Sequence, residues 1–205
     1  MITNIGLHRV KCGSITQGIE DLMQGERAPI LFSDPPFGIA MIKLFQRLNN
    51  KDTGKPIENL EWAPFAEIMF DIFDKYCSDI LLIAHGKKWH DETQRMAIER
   101  GFVPIKVIDV CYKSGNKFQP MHQHIFGRKH FELPPGYEAT LKDTWGYDSI
   151  IKCIGPLARP GEILLDPMCG MGYAAQAAID TGMIFRGNEL NAKRLDKTIK
   201  RLFRG

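Results

Sequence analysis

Ile30-Leu31-Phe32-Ser33-Asp34-Pro35-Pro36-Phe37 is an apolar run stopped by an acid and two prolines, and Glu162-Ile163-Leu164-Leu165-Asp166-Pro167-Met168-Cys169-Gly170-Met171-Gly172 repeats that plan far down the chain. Short apolar runs bounded by Pro and Gly read as buried strands, so each passage is a strand that ends in a loop. Consecutive prolines remove two backbone donors and fix φ. The carbonyls of Asp34 and Pro35 and the Asp34 carboxylate are left as acceptors aimed at one spot, with Phe37 as a flat apolar face beside them. That spot suits a planar amine. In the second loop Gly170 and Gly172 precede the helix-like Ala174-Ala175-Gln176-Ala177-Ala178, so backbone can approach a ligand where a helix begins. This suits an adenosyl cofactor.

Around these two passages short apolar runs alternate with segments of helical period, which predicts an α/β fold with a mostly parallel sheet covered by helices on both faces. Seven strands are expected: His8 to Lys11, Ile30 to Ser33, Asp79 to Ala84, Ile105 to Tyr112, His122 to Arg128, Glu162 to Leu165 and Ile184 to Asn188. Helices are expected over Ile15 to Met23, Pro64 to Lys75, Asp91 to Arg100, Ser149 to Leu157, Tyr173 to Thr181 and Ala192 to Phe203. The tally is a doubly wound sheet, whose ligands bind at the carboxyl ends of neighbouring strands. Gln46 to Trp62, with Asn49-Asn50-Lys51-Asp52, Gly54 and Pro56, reads as a long mobile loop beside the site. Glu189 follows Asp166 by 23 positions, close to the ~20 at which an acid meets ribose hydroxyls in nucleotide-binding βαβ units.

With these residues the chain resembles the S-adenosylmethionine-dependent amino-methyltransferases of DNA. Asp34-Pro35-Pro36-Phe37 is similar to their Asp-Pro-Pro-Tyr catalytic motif and Asp166 to Gly172 to their cofactor loop. Arg9 to Ser14 resembles their opening strand, and Gly187-Asn188-Glu189-Leu190-Asn191 their ribose-binding segment. The catalytic motif comes first, the permuted order of the subgroup called beta, and the resemblance extends across nearly the whole chain. It implies a Rossmann-like methyltransferase fold in which the strands bearing Asp34 and Asp166 are neighbours. The implied catalytic residues are Asp34, Pro35, Pro36 and Phe37. The implied cofactor residues are Ser14, Asp34, Asp166, Pro167, Met168, Cys169, Gly170, Gly172, Glu189 and Asn191.

The implied reaction is transfer of methyl from S-adenosylmethionine to the N6 amine of a flipped-out adenine in DNA, without metal, and with short or relaxed sequence specificity. Asp at the head of the Pro-Pro motif resembles adenine enzymes more than cytosine-N4 enzymes. The alternatives are cytosine-N4, RNA or protein-glutamine methylation, or an idle cofactor-binding partner subunit. Two departures bear on this: Ser14 stands where many relatives have Asp, and His130 to Asp143 is short for the recognition region that relatives place there. The whole of 1–205 therefore reads as one methyltransferase domain with no separate target-recognition domain, and a homodimer is the other route to specificity.

Composition sets wider bounds. A chain of 205 residues, 44% apolar, fits a single domain. A net charge of +3 permits a polyanionic partner without requiring one. The five cysteines are odd in number and widely spaced, as for reduced thiols in a cytoplasmic protein; the resemblance implies one that is bacterial or phage-encoded in a bacterial host. No run approaches the ~18 apolar residues of a membrane span. Lys87, Lys88, Lys113 and Lys117 follow strand ends and are candidates for phosphate contacts. His122 and His124 share a strand face with His130 nearby, but without a third ligand at suitable spacing no metal is expected.

Overall fold

The computed structural model describes residues 1–54, 60–114, 117–142, 144 and 146–204, with side chains omitted at 112–114 and 117. Its strands are β1 (Ile2–Ile5), β2 (His8–Cys12), β3 (Ala28–Ser33), β4 (Cys77–Gly86), β5 (Val103–Ser114), β6 (Lys117–Gly127), β7 (Ile163–Asp166) and β8 (Ile184–Glu189). They form one sheet in the order β1-β2-β8-β7-β3-β4-β6-β5. The central run from β2 to β4 is parallel, while β1, β6 and β5 pair antiparallel with their neighbours. The helices are α1 (Glu20–Met23), α2 (Ile39–Thr53), α3 (Trp62–Tyr76), α4 (His90–Glu99), α5 (Tyr137–Leu141), α6 (Tyr147–Ile154), α7 (Tyr173–Asp180) and α8 (Ala192–Leu202). No helix among the described residues is long and apolar enough to cross a membrane.

Strand side chains alternate between faces, and the sheet sorts them into two cores. Ile30, Phe32, Ile80, Leu82 and Leu164 pack with α5, α6, α7 and α8. Leu31, Leu81, Ile83 and Leu165 pack with α1, α2, α3 and α4. The chain leaves β3 towards β4 through α2 and α3 and leaves β7 towards β8 through α7. These crossovers diverge on opposite faces, so a crevice opens beyond the ends of β3 and β7, the place where open α/β sheets bind ligands.

Four expectations are corrected. The sheet has eight strands, because Ile2–Ile5 turns back on β2 about Gly6 (φ 55°). Of those four residues only Ile5 is buried, so the strand carried little apolar pattern. The helix expected over Ile15 to Met23 is broken at Gly18 (φ 73°) into a 3-10 turn, Ile15–Gln17, and α1. Residues 46–53 of the expected loop Gln46 to Trp62 belong to α2, and 55–59 lie outside the described residues. The buried positions of α2 are Ile42, Gln46 and Asn49, while Ile39, Met41, Leu44 and Leu48 are 38–45% exposed. With amides on the inner stripe and apolar side chains outside, the helix has no conventional hydrophobic period to read. Lys113 and Lys117, expected to follow a strand end, lie within the paired strands β5 and β6, and 115–116 lie outside the described residues.

Within the expected recognition interval, Tyr137 and Leu141 are core residues, and the Tyr137 hydroxyl donates to Cys153 O. These two side chains tie the interval to the core, while most of its other described residues are exposed.

Candidate functional site

The ends of β2, β3, β7 and β8 open on one cavity of about 880 Å³, within the ~300–1,000 Å³ of small-molecule sites. Register brings the strand ends level. Leu31 pairs with Leu165, Asp166 with Gly187 and Cys12 with Glu189, so Asp34, Asp166 and Glu189 emerge side by side although distant in sequence. Asn188 fastens this edge: its Nδ2 donates to Gly13 O (3.2 Å) and Pro167 O (3.1 Å), linking the loops after β2 and β7 to β8.

Three carboxylates therefore face the cavity. Asp34 is open to it and accepts no hydrogen bond from the described residues. The surrounding protein removes much of its hydration and pushes its carboxyl up to about 6. Asp166 is buried with Oδ1 accepting the Met168 N–H at 3.1 Å. Burial holds it well above the usual carboxylate range against the pull of that N–H, and the charges of Asp34 and Glu189 add to the effect. Glu189 accepts the Gly170 N–H on Oε2 and the Asn191 N–H on Oε1, both at 2.8 Å. It too is raised by burial, opposed by those N–H groups and by Arg194. None of the three has a salt bridge to a described residue, so the cavity favours a ligand that brings positive charge and hydroxyl donors.

The structure brings most of the sequence-derived site residues together. Pro35, Pro36 and Phe37 line the cavity on the Asp34 side, and Met168, Cys169 and Gly170 on the Asp166 side. Ser14 lines it as the N-cap of the 3-10 turn, its Oγ 2.7 Å from Thr16 Oγ1. Asn191 also lines it, but its side chain is committed to the fold. Its Oδ1 caps α8 by accepting the Arg194 N–H, and its Nδ2 donates to Asp52 on α2 at 2.9 Å.

Two expected cofactor residues, Pro167 and Gly172, do not line the cavity; the first lends its carbonyl to Asn188, and the second lies against Thr198 of α8. Lys88 lines the cavity with Nζ 5.0 Å above the Trp89 ring, whereas Lys87 is paired with Asp109 at 2.8 Å. The Lys113 and Lys117 side chains lie outside the described residues.

Phe37 sits in an aromatic wall, its ring 5.5 Å from Trp62, 5.0 Å from His85 and 5.9 Å from Trp89. Sequence reasoning missed this wall and Arg194, which stacks on Phe45 and lines the cavity. The signal for the wall was Gly38 after Phe37: a Cβ there would meet Trp89 at 2.5 Å. His130, near His122 and His124 in sequence, does not join them in space. His130 is exposed and apart, and His90 is the residue that joins His122 and His124.

No family model matches the chain, and no curated protein matches it. Solved structures do. Against the M1.HpyAVI–SAM complex the TM-score is 0.70 at 16% identity, over 94% of this chain and 98% of that one. TTHA0409 from Thermus thermophilus, complexed with S-adenosyl-L-methionine, gives 0.65 at 15%, over 96% and 93%. The cytosine-N4-specific PvuII DNA methyltransferase gives 0.65 at 13%, over 94% and 85%. At such identities the likeness is one of architecture: the chain has the doubly wound, Rossmann-like fold of these structures.

Proposed function

We propose that this protein transfers a methyl group from S-adenosylmethionine to the exocyclic N6 amine of adenine in DNA. The observation that carries the reading is the convergence of Asp34, Asp166 and Glu189 on one cavity without a salt-bridge partner among the described residues. S-adenosylmethionine fits that chemistry, since it carries an ammonium, a sulfonium and two ribose hydroxyls. Glu189, oriented by the Gly170 and Asn191 N–H groups, keeps lone pairs for the hydroxyls. Asp166 offers its second oxygen to positive charge. When bound, the cofactor supplies a methyl group activated by positively charged sulfur.

The remaining work falls to the Asp34 side. An adenine amine is a weak nucleophile because its lone pair is delocalised into the ring. Accepting its two N–H bonds on Asp34 and the Pro35 carbonyl favours a pyramidal nitrogen and stabilises the positive charge that grows on it. The prolines hold both acceptors in place, so alignment with the methyl group comes with little reorganisation. The target base must leave the duplex to reach this depth, and Phe37 and Trp89, which line the cavity, offer it an apolar surface. Lys88 at the rim suits a flanking phosphate, and sequence readout is short because His130 to Asp143 supplies few side chains to read base edges.

The test is incubation with methyl-labelled S-adenosylmethionine and mixed DNA, followed by nucleoside digestion. Label in N6-methyladenine at many sites or at a very short motif is the expected result. Label in N4-methylcytosine, the product class of the PvuII enzyme that shares the fold, would move the assignment to cytosine. Label confined to RNA or to protein glutamine would move it off DNA. Cofactor binding without transfer to any of these would make the chain an idle partner subunit.

A further inference from the structure

Four histidines gather where β4, β6 and the start of α4 meet. Register sets His122 on β6 opposite His85 on β4 and Asp109 on β5, with His124 two residues along. His90, the first residue of α4, closes over the pair, its ring 5.3 Å from that of His122 and 4.9 Å from that of His124. We propose that His90, His122 and His124 form a binding site for a divalent cation of the zinc class, distinct from the cofactor cavity and independent of the methyl-transfer reading.

The geometry is that of a ligand set. One nitrogen from each ring lies within 4.8 Å of the others, and His90 Nδ1 and His124 Nε2 are 3.1 Å apart. Tetrahedral zinc, with bonds of about 2.0–2.1 Å, holds its nitrogens about 3.3–3.4 Å apart, so the His90–His124 pair is already near that separation and the third nitrogen closes by at most about 1.4 Å. His122 Nδ1 is buried without a hydrogen-bond partner. Its Nε2 meets Asp109 Oδ1 at 3.2 Å. A carboxylate on the far nitrogen is the usual support of a metal-bound imidazole, because it fixes the ring and raises its basicity. Three imidazoles without thiolate suit zinc, cobalt or nickel rather than calcium or magnesium, and the half-buried His90 and His122 leave a fourth position for a solvent ligand.

A cation here would tie α4 to the sheet one residue after Trp89, which packs against Phe37 and Gly38. Its effect would be to fix the aromatic wall rather than to join the chemistry.

The test uses the untagged full chain after chelator dialysis, titrated with Co²⁺ and then Zn²⁺. Expected are one saturable equivalent with the visible absorption of four-coordinate cobalt, displacement by Zn²⁺, and a higher Tm with metal. His90→Gln and His122→Asn should each weaken binding about 10- to 100-fold or more, while His130→Gln leaves it unchanged. Circular dichroism of the metal-free variants establishes that they are folded. In the wild type, ring proton resonances of His90, His122 and His124 should move on adding Zn²⁺ while those of His8 and His130 stay fixed, a readout that needs no variant. Absence of a one-equivalent site, or undiminished binding by folded His90→Gln, overturns the proposal.

Discussion

The glycines of the Asp166 loop look alike in sequence, and the structure gives them opposite duties that paired alanine substitutions can separate. Both have positive φ, 53° at Gly170 and 79° at Gly172, and holding an L-residue there costs about 1–2 kcal/mol. A Cβ on Gly170 would have Met168 O at 4.0 Å as its nearest neighbour. A Cβ on Gly172 would meet Thr198 Oγ1 at 2.6 Å, Cα at 2.7 Å and Cβ at 2.9 Å. The second atom is backbone, so α7 and α8 must move apart, and overpacking of that kind adds about 1–3 kcal/mol.

Gly172→Ala should therefore lose about 2–5 kcal/mol and Gly170→Ala about 1–2. At roughly 2–4 °C per kcal/mol for a domain of this size, the Tm falls by roughly 4–20 °C and 2–8 °C respectively, read by thermal unfolding at pH 7. Binding should separate them the other way, judged per folded molecule at low temperature. The methyl group of Gly170→Ala occupies cavity space, whereas Gly172→Ala acts on the ligand only by displacing the loop. Equal Tm changes, or a larger one at Gly170, would refute the assignment of Gly172 to helix packing.

Asp34→Asn should lower single-turnover methyl transfer about 10²-fold or more with cofactor affinity little changed at pH 7.5; near-normal turnover would end the proposed acceptor role. Because the surrounding protein strips hydration from the Asp34 carboxyl and raises it to about 6, its ionised form predominates above pH 6, and wild-type transfer should fall about tenfold between pH 7 and pH 5; a flat profile contradicts it. For stability the sign is opposite: the raised value favours the fold at low pH, and that contribution is lost as pH rises through about 6, so Asp34→Asn should raise Tm more at pH 8 than at pH 4. Glu189→Ala leaves the Gly170 and Asn191 N–H groups without their acceptor and should weaken adenosyl binding at least ~10-fold; unchanged calorimetric affinity would place the ribose elsewhere. Lys88→Ala should lower the salt slope of DNA binding by about 1, and Lys87→Ala by less, since Lys87 is held by Asp109; the reverse order would exchange their roles.

Local patterns carried much of this reading. An apolar run that stops at an acid and proline reports on itself, because burial on both faces and the loss of backbone donors act within a few residues. β3 and β7 and the loops after them were legible for that reason. α3 was legible too: Phe65, Met69, Phe73 and Tyr76 repeat every three or four residues and are all buried. α2 hid because Gln46 and Asn49 share its inner stripe with Ile42 while Ile39, Met41, Leu44 and Leu48 are exposed. The spacing of Asp166 and Glu189 was visible, but not that Asn191, two residues on, commits its side chain to α8 and Asp52.

What the sequence determined by itself was the α/β class, the two strand-end loops and the pairing of an acidic acceptor with a glycine turn, all properties of contiguous residues. Tertiary structure alone decided which of these meet. The β3–β7 pairing that sets Asp34 beside Asp166, implied beforehand by the resemblance and not by any local pattern, joins distant segments, as do the aromatic wall around Phe37 and the contact of Gly172 with Thr198. The choice of His90 over His130 as companion to His122 and His124 was settled in the same way. Such contacts depend on register and on the direction in which helices cross the sheet, and both are fixed by packing over the whole molecule rather than by the order of neighbouring residues.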